Sequence, residues 1–149
     1  MVSLTWCLKQ KRGVRLIEPS EIKCNDYIGR SENDLVSLKG DSTYWKLIKA
    51  YYACYDALYA LLMKAGIKSE IHDCSIELMG LFGFDEESID FIKKLKDDRI
   101  QNQYYLKNIP LKDEEKVKEF VIEVKKKISS LSEEGIDEVR DKIKPKEDK

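Results

Sequence analysis

Ile48-Lys49-Ala50-Tyr51-Tyr52-Ala53-Cys54-Tyr55-Asp56-Ala57-Leu58-Tyr59-Ala60-Leu61-Leu62-Met63-Lys64-Ala65-Gly66 decides the fold. Ile48, Tyr51, Tyr52, Tyr55, Tyr59 and Leu62 recur at steps of three and four, the spacing of one helical face. Ala50, Ala53, Ala57 and Ala60 fall between them, and small residues there let neighbouring helices approach closely. Few charges interrupt Tyr51 to Met63, so the helix is expected to be buried on most sides. Asp41 or Ser42 can cap its start, and Gly66 suits the left-handed residue that ends it.

Working outward, a helix is expected from Ser20 to Gly40, with Cys24, Tyr27, Ile28, Leu35 and Leu38 as its apolar stripe and Ser31 in the gap. A short helix should run from His72 or Asp73 to Leu81. Asp85 caps the next, whose Glu86 and Glu87 suit the positive end of the helix dipole. Its stripe is Ile89, Ile92, Leu95, Arg99 and Leu106, closed by Asn108 and Pro110. Asp113 caps a last long helix carrying Val117, Phe120, Val121, Val124, Ile128 and Leu131. The expectation is an all-α, antiparallel up-and-down bundle of about five helices, four long and one short. No strand-like alternation of useful length is visible. Residues 1–19 read as an N-terminal arm, 20–131 as the bundle, and 132–149 as a charged, flexible tail with a helical turn or two between Ile136 and Ile143.

The chain has 149 residues, 37% charged and 42% hydrophobic, which suits one globular domain with a heavily charged surface. Lys and Arg total 27 against 28 Asp and Glu, a net charge of −1, so no global basic field holds it on nucleic acid and any polyanion contact must be local. No apolar run is long enough to span a bilayer, and Met1 to Lys11 lack the apolar stretch of a secretion signal, so a cytoplasmic location and no membrane partner are expected. Cys7, Cys24, Cys54 and Cys74 are far apart, with one histidine in the chain, so no metal site is expected. They read as reduced, small, mostly buried side chains. Lys, Glu and Ile abundance is a compositional hint of a thermophile.

The fourth helix carries the oddity. Arg99, Asn102 and Gln103 occupy a stripe that should be apolar, and buried polar groups cost free energy unless partnered. Either the guanidinium fork meets phosphate, with the amides positioning a base or ribose, or Arg99 is paired on Asp56 or Asp73 and fixes helix register. Tyr104 and Tyr105 can bond phosphate or stack on bases, or serve as core or interface aromatics. The tyrosines from Tyr51 to Tyr59 read first as core and alternatively as a base-stacking ladder. His72, the only histidine, is the one conventional general base available; it can equally bond its own cap or a neighbouring helix. Lys9, Lys11, Arg12 and Arg15 with Trp6 could touch RNA or form a solvated face.

Tyr51 to Ile67, the following Ser69-Glu70-Ile71-His72, and Asp98-Arg99-Ile100-Gln101-Asn102-Gln103-Tyr104-Tyr105 resemble the second helix, the link after it and the Arg-bearing end of the fourth helix in HEPN-domain proteins. Trp6 to Pro19 resembles an arm in an archaeal branch of that family. The resemblance implies a bundle that commonly forms homodimers and works with a minimal nucleotidyltransferase, often as toxin and antitoxin. Active members are metal-independent ribonucleases, without a cofactor, that carry an Arg-x4–6-His motif. Arg99 matches the arginine, but Tyr104 stands five residues on and no histidine follows. The resemblance therefore implies a nucleotide- or RNA-binding component with a degenerate ribonuclease site, using Arg99, Asn102, Gln103, Tyr104 and Tyr105. One alternative is an active endoribonuclease in which His72 replaces the missing base beside Arg99. Another is a structural dimerisation module whose polar stripe forms the subunit contact.

Overall fold

Residues 2–144 are described by the computed structural model. The order is α1 (Leu4–Lys9), β1 (Val14–Leu16), α2 (Glu21–Ser37), α3 (Thr43–Ala65), β2 (Ile67–Ser69), α4 (His72–Glu77), α5 (Glu86–Tyr105), α6 (Glu114–Ser130) and α7 (Glu133–Ile143), with 3-10 turns at Leu38–Gly40 and Leu78–Phe82. The protein is an all-α helical bundle. The long helices alternate in direction. Ser31 meets Ala53 and Tyr27 meets Tyr59, so α2 and α3 are antiparallel. Ser88 meets Glu123 and Phe91 meets Phe120, so α5 and α6 are antiparallel too. Lys46 reaches Glu114 and Lys64 reaches the Ile128 carbonyl, which sets α6 parallel to α3.

The alanine-rich α3 is the central element. Its Ala50, Ala53, Ala57, Ala60 and Ala65 are fully buried, with Leu58, Leu61 and Leu62 between them. Where α2 crosses it, the Ser31 hydroxyl donates to the Ala53 carbonyl at 2.6 Å, a contact that a larger side chain at 31 would prevent. Ser20, Asp85 and Asp113 accept backbone N–H bonds at the starts of α2, α5 and α6. Gly66 ends α3 with φ +74°, and a Cβ there would meet the Ile17 carbonyl at 2.5 Å. Gly40 does not take that conformation: α2 tightens into a 3-10 turn instead.

A second core lies at the C-terminal end of α3, and there the structure departs from the sequence reading. The arm carries β1, which pairs antiparallel with β2 in the register Val14–Ser69, Arg15–Lys68 and Leu16–Ile67. Three residues on each side are too few to show alternation in sequence. Cys7 and Cys74 form a disulfide with Cα atoms 5.8 Å apart, so two of the cysteines expected to be free are joined; only Cys24 and Cys54 are free, both buried. The tail expected to be flexible contains α7, which buries Val139 and Ile143. Arg140 donates to the carbonyls of Ile17, Ala65 and Gly66 and so satisfies the end of α3. The end of the expected tail, 145–149, lies outside the described residues. Leu106, assigned to the α5 stripe, is 90% exposed at φ +54° and terminates the helix. No helix among the described residues is long and apolar enough to cross a membrane.

Candidate functional site

The faces of α3 and α5 meet at Arg99. Its side chain is buried, 8% exposed, and the guanidinium lies over the rings of Tyr51 at 4.8 Å and Tyr52 at 5.4 Å. Nη1 donates to the Tyr52 hydroxyl at 3.2 Å and to Gln103 Oε1 at 3.1 Å, while Nε has no partner among the described residues. No carboxylate of the described residues pairs with the guanidinium. Asp98 takes Lys94 at 2.6 Å and Asp73 takes Lys96 at 2.8 Å. Asp56 is half-buried; burial and the nearby Asp34 push its carboxyl up to about 6, against the opposing pull of Arg30. Neither partner suggested for a register-fixing pair therefore holds Arg99. Aromatic faces and neutral oxygens hold it instead.

His72 joins the same cluster although it lies on α4. Its Nδ1 is 2.7 Å from the Tyr51 hydroxyl, and its ring stacks on Tyr55 at 4.0 Å. Burial, then the charges of Arg99 and Lys96, lower its pKa to about 4 against the opposing Asp73, so it is neutral at pH 7. Burial drives the Tyr51 phenol far above its ordinary range, so Tyr51 keeps its proton. His72 is the only partner described for that hydroxyl. Donation from Tyr51 to Nδ1 satisfies the buried hydroxyl, and in that tautomer the neutral imidazole carries its hydrogen on Nε2. Arg99 Nε and, in that tautomer, His72 Nε2 are then N–H donors for which no acceptor is found among the described residues. In the same tautomer Nε2 cannot take a proton.

A hydroxyl chain supports the histidine. Tyr55 bonds Ser75 at 2.8 Å, and Ser75 donates to Ser69 at 2.9 Å. The Cys7–Cys74 bond ties the first turn of α4, which carries His72, to α1. Ser69 was quoted from sequence only as part of the link before α4, and Ser75 was not singled out; its one signal was falling one turn after Ile71, whose carbonyl it also reaches.

The remaining candidates separate. Asn102 is fully buried, and its amide donates to the Ile109 carbonyl at 2.9 Å and accepts from the Ile109 N–H at 2.7 Å. That double bond to the chain after α5 occupies the side chain in holding the α5–α6 connection. Gln103 receives Arg99. Tyr104 and Tyr105 lie outside the cluster, 67% and 65% exposed, beside Leu106. Lys9, Lys11, Arg12 and Arg15 are all exposed on the arm. The sequence candidates Arg99, His72 and Gln103 come together; Asn102, Tyr104 and Tyr105 do not join them. Among known protein families, characterised proteins and solved structures, none significantly matches this chain.

Proposed function

We propose that the protein binds phosphate groups of RNA or a nucleotide at the Arg99–His72 cluster, as a HEPN-type component with a degenerate ribonuclease site. One observation carries this reading: a guanidinium buried to 8% exposure, with no carboxylate partner and no bond at Nε among the described residues. A buried charge without a counter-ion is costly, and a phosphate would supply both the opposite charge and acceptors for Arg99 Nε and His72 Nε2. The resemblance to HEPN proteins adds the expected context, a homodimer acting with a minimal nucleotidyltransferase as toxin and antitoxin. The exposed Tyr104, Tyr105 and Leu106 suit the subunit contact of such a dimer. The test is binding of a labelled single-stranded RNA to the protein and to Arg99→Met, with chelator present. Retained affinity in the variant would refute the reading.

Metal-independent RNA cleavage is the second reading, and the closeness of His72 to Arg99 through Tyr51 favours it. Cleavage would require His72 to surrender the Tyr51 bond or invert its tautomer before it could act as a base. Incubating labelled RNA with the protein, Arg99→Ala and His72→Ala separates the two readings. Cleavage lost in both variants supports the enzyme. RNA bound but intact supports the binder.

A further inference from the structure

About two turns further along α3 from the Arg99 contacts, α2, α3 and the ribbon line an open cavity of about 310 Å³ whose cations form no ion pair within 4 Å among the described residues. Lys23, Arg30 and Lys68 line it. Arg15 stands directly opposite Lys68 in the β1–β2 register, and its side chain is exposed. Like charges at paired positions of an antiparallel ribbon repel, and neither cation forms an ion pair among the described residues. The wall is aromatic: Tyr27 and Tyr59 meet edge to face at 4.9 Å, and the Arg30 guanidinium covers the Tyr27 ring at 5.3 Å. Asp26 also lines the cavity and forms no ion pair with its cations. Ile17 and Met63 complete an apolar floor.

We propose that this cavity is a second ligand site and takes a mononucleotide. Lys23, Arg30 and Lys68, with Arg15 beside Lys68, receive the phosphate, since several cations around one cavity favour an anion of more than one charge. Asp26 is an acceptor among donors, with no role toward phosphate; a carboxylate in that position bonds the ribose hydroxyls. The base lies along Tyr59 over the Met63 and Ile17 floor, contacts that aromatic and sulfur-bearing side chains supply to any planar ring. The cavity is at the small end of ligand pockets, a size that suits one nucleotide. This site does not depend on Arg99. The Tyr51–Tyr55–Tyr59 ring stack runs along α3 between the two places, so they occupy successive stretches of one helix.

The test is amide chemical-shift mapping of the whole protein titrated with AMP, adenosine or inorganic phosphate. AMP should shift amides in residues 23–30 and 67–69. Lys68→Glu and, independently, the exposed-site variant Arg30→Glu should each weaken AMP at least about tenfold, the size of one lost charge-assisted contact. Asp26→Ala should weaken AMP and leave inorganic phosphate unchanged, and Arg99→Met should leave AMP binding intact. The proposal is overturned by an absence of shifts in those segments at millimolar AMP. It is overturned equally by adenosine binding as well as AMP, or by loss of AMP binding in Arg99→Met. That last result would move the nucleotide to the other cluster and leave the phosphate-binding reading there standing.

Discussion

Tyr51 and His72 are joined by a 2.7 Å hydrogen bond, and the same Tyr51 ring carries the Arg99 guanidinium on its face at 4.8 Å. A residue that reads in sequence as one tyrosine of a core stripe therefore connects a helix-borne cation to the only histidine of the chain. The connection brings the imidazole and the guanidinium into one aromatic cluster.

This arrangement sets a pH dependence. His72 is held near 4 in the folded state, below its ordinary 6.5, so between those values the unfolded chain binds more protons. Its contribution to stability is full above about 6.5 and is lost as pH falls toward 4. Asp56 acts in the opposite sense. Its folded value near 6 exceeds the ordinary 3.8, so its contribution is full below 3.8 and is lost as pH rises through 6. The two slopes oppose each other between about pH 4 and 6. His72→Gln should leave stability falling as pH rises across that window, and Asp56→Asn should leave it rising. Urea midpoints at half-unit pH steps check this; identical profiles for both variants would contradict the assigned shifts.

Removing Asn102 should cost stability and spare ligand binding. Asn102→Ala strands the Ile109 N–H and carbonyl, and two lost hydrogen bonds in a buried setting amount to about 2 kcal/mol or more. Asn102→Asp keeps the acceptor and should recover part of the loss. Chemical denaturation measures both. RNA affinity that fell with stability unchanged would instead return Asn102 to the binding site.

The closing segment should prove structural. Arg140→Ala removes three charge-assisted bonds to the carbonyls of Ile17, Ala65 and Gly66, and should destabilise by about 2 kcal/mol. Amide hydrogen exchange should show the loss concentrated at β1, β2 and the end of α3. Uniform protection in the variant would mean that α7 contributes nothing there.

The long helices were legible because each is marked by local chemistry. Ser20, Asp85 and Asp113 cap, Gly66 stops, and the stripes of α3 and α6 repeat at helical spacing. What stayed hidden depends on chain distance. Cys7 and Cys74 are 67 residues apart, and only the packing of α1 on α4 brings them together. The β1–β2 ribbon is three residues long on each side, and α7 looks like tail because charges surround Val139 and Ile143. Arg99 was visible as a polar break in an apolar stripe. Its support was not, because Tyr51, Tyr52 and His72 come from other elements. Asn102 gave the same polar-break signal for a different reason, a bond to backbone seven residues on.

The disulfide closes a loop between Cys7 and Cys74 and so restricts the unfolded chain. Replacing both cysteines by serine should lower stability by about 4 kcal/mol, by the loop-entropy relation. Under native, non-reducing conditions a thiol reagent should find no reactive group, because Cys24 and Cys54 are buried and burial raises both thiols. Unfolding should release two. Four thiols on unfolding without reductant would show that the bond is not formed.

The most direct test of the account is the thermal stability of Arg99→Met beside the unaltered protein, each with and without a short single-stranded RNA. Methionine keeps much of the side-chain volume and removes an unanswered buried charge, so the ligand-free variant should melt no lower than the original. RNA should raise the melting temperature of the original and leave the variant unchanged. A variant that melts several degrees lower, with RNA shifting neither protein, would make Arg99 a structural element held by Tyr51 and Tyr52 alone and would contradict the proposed binding function.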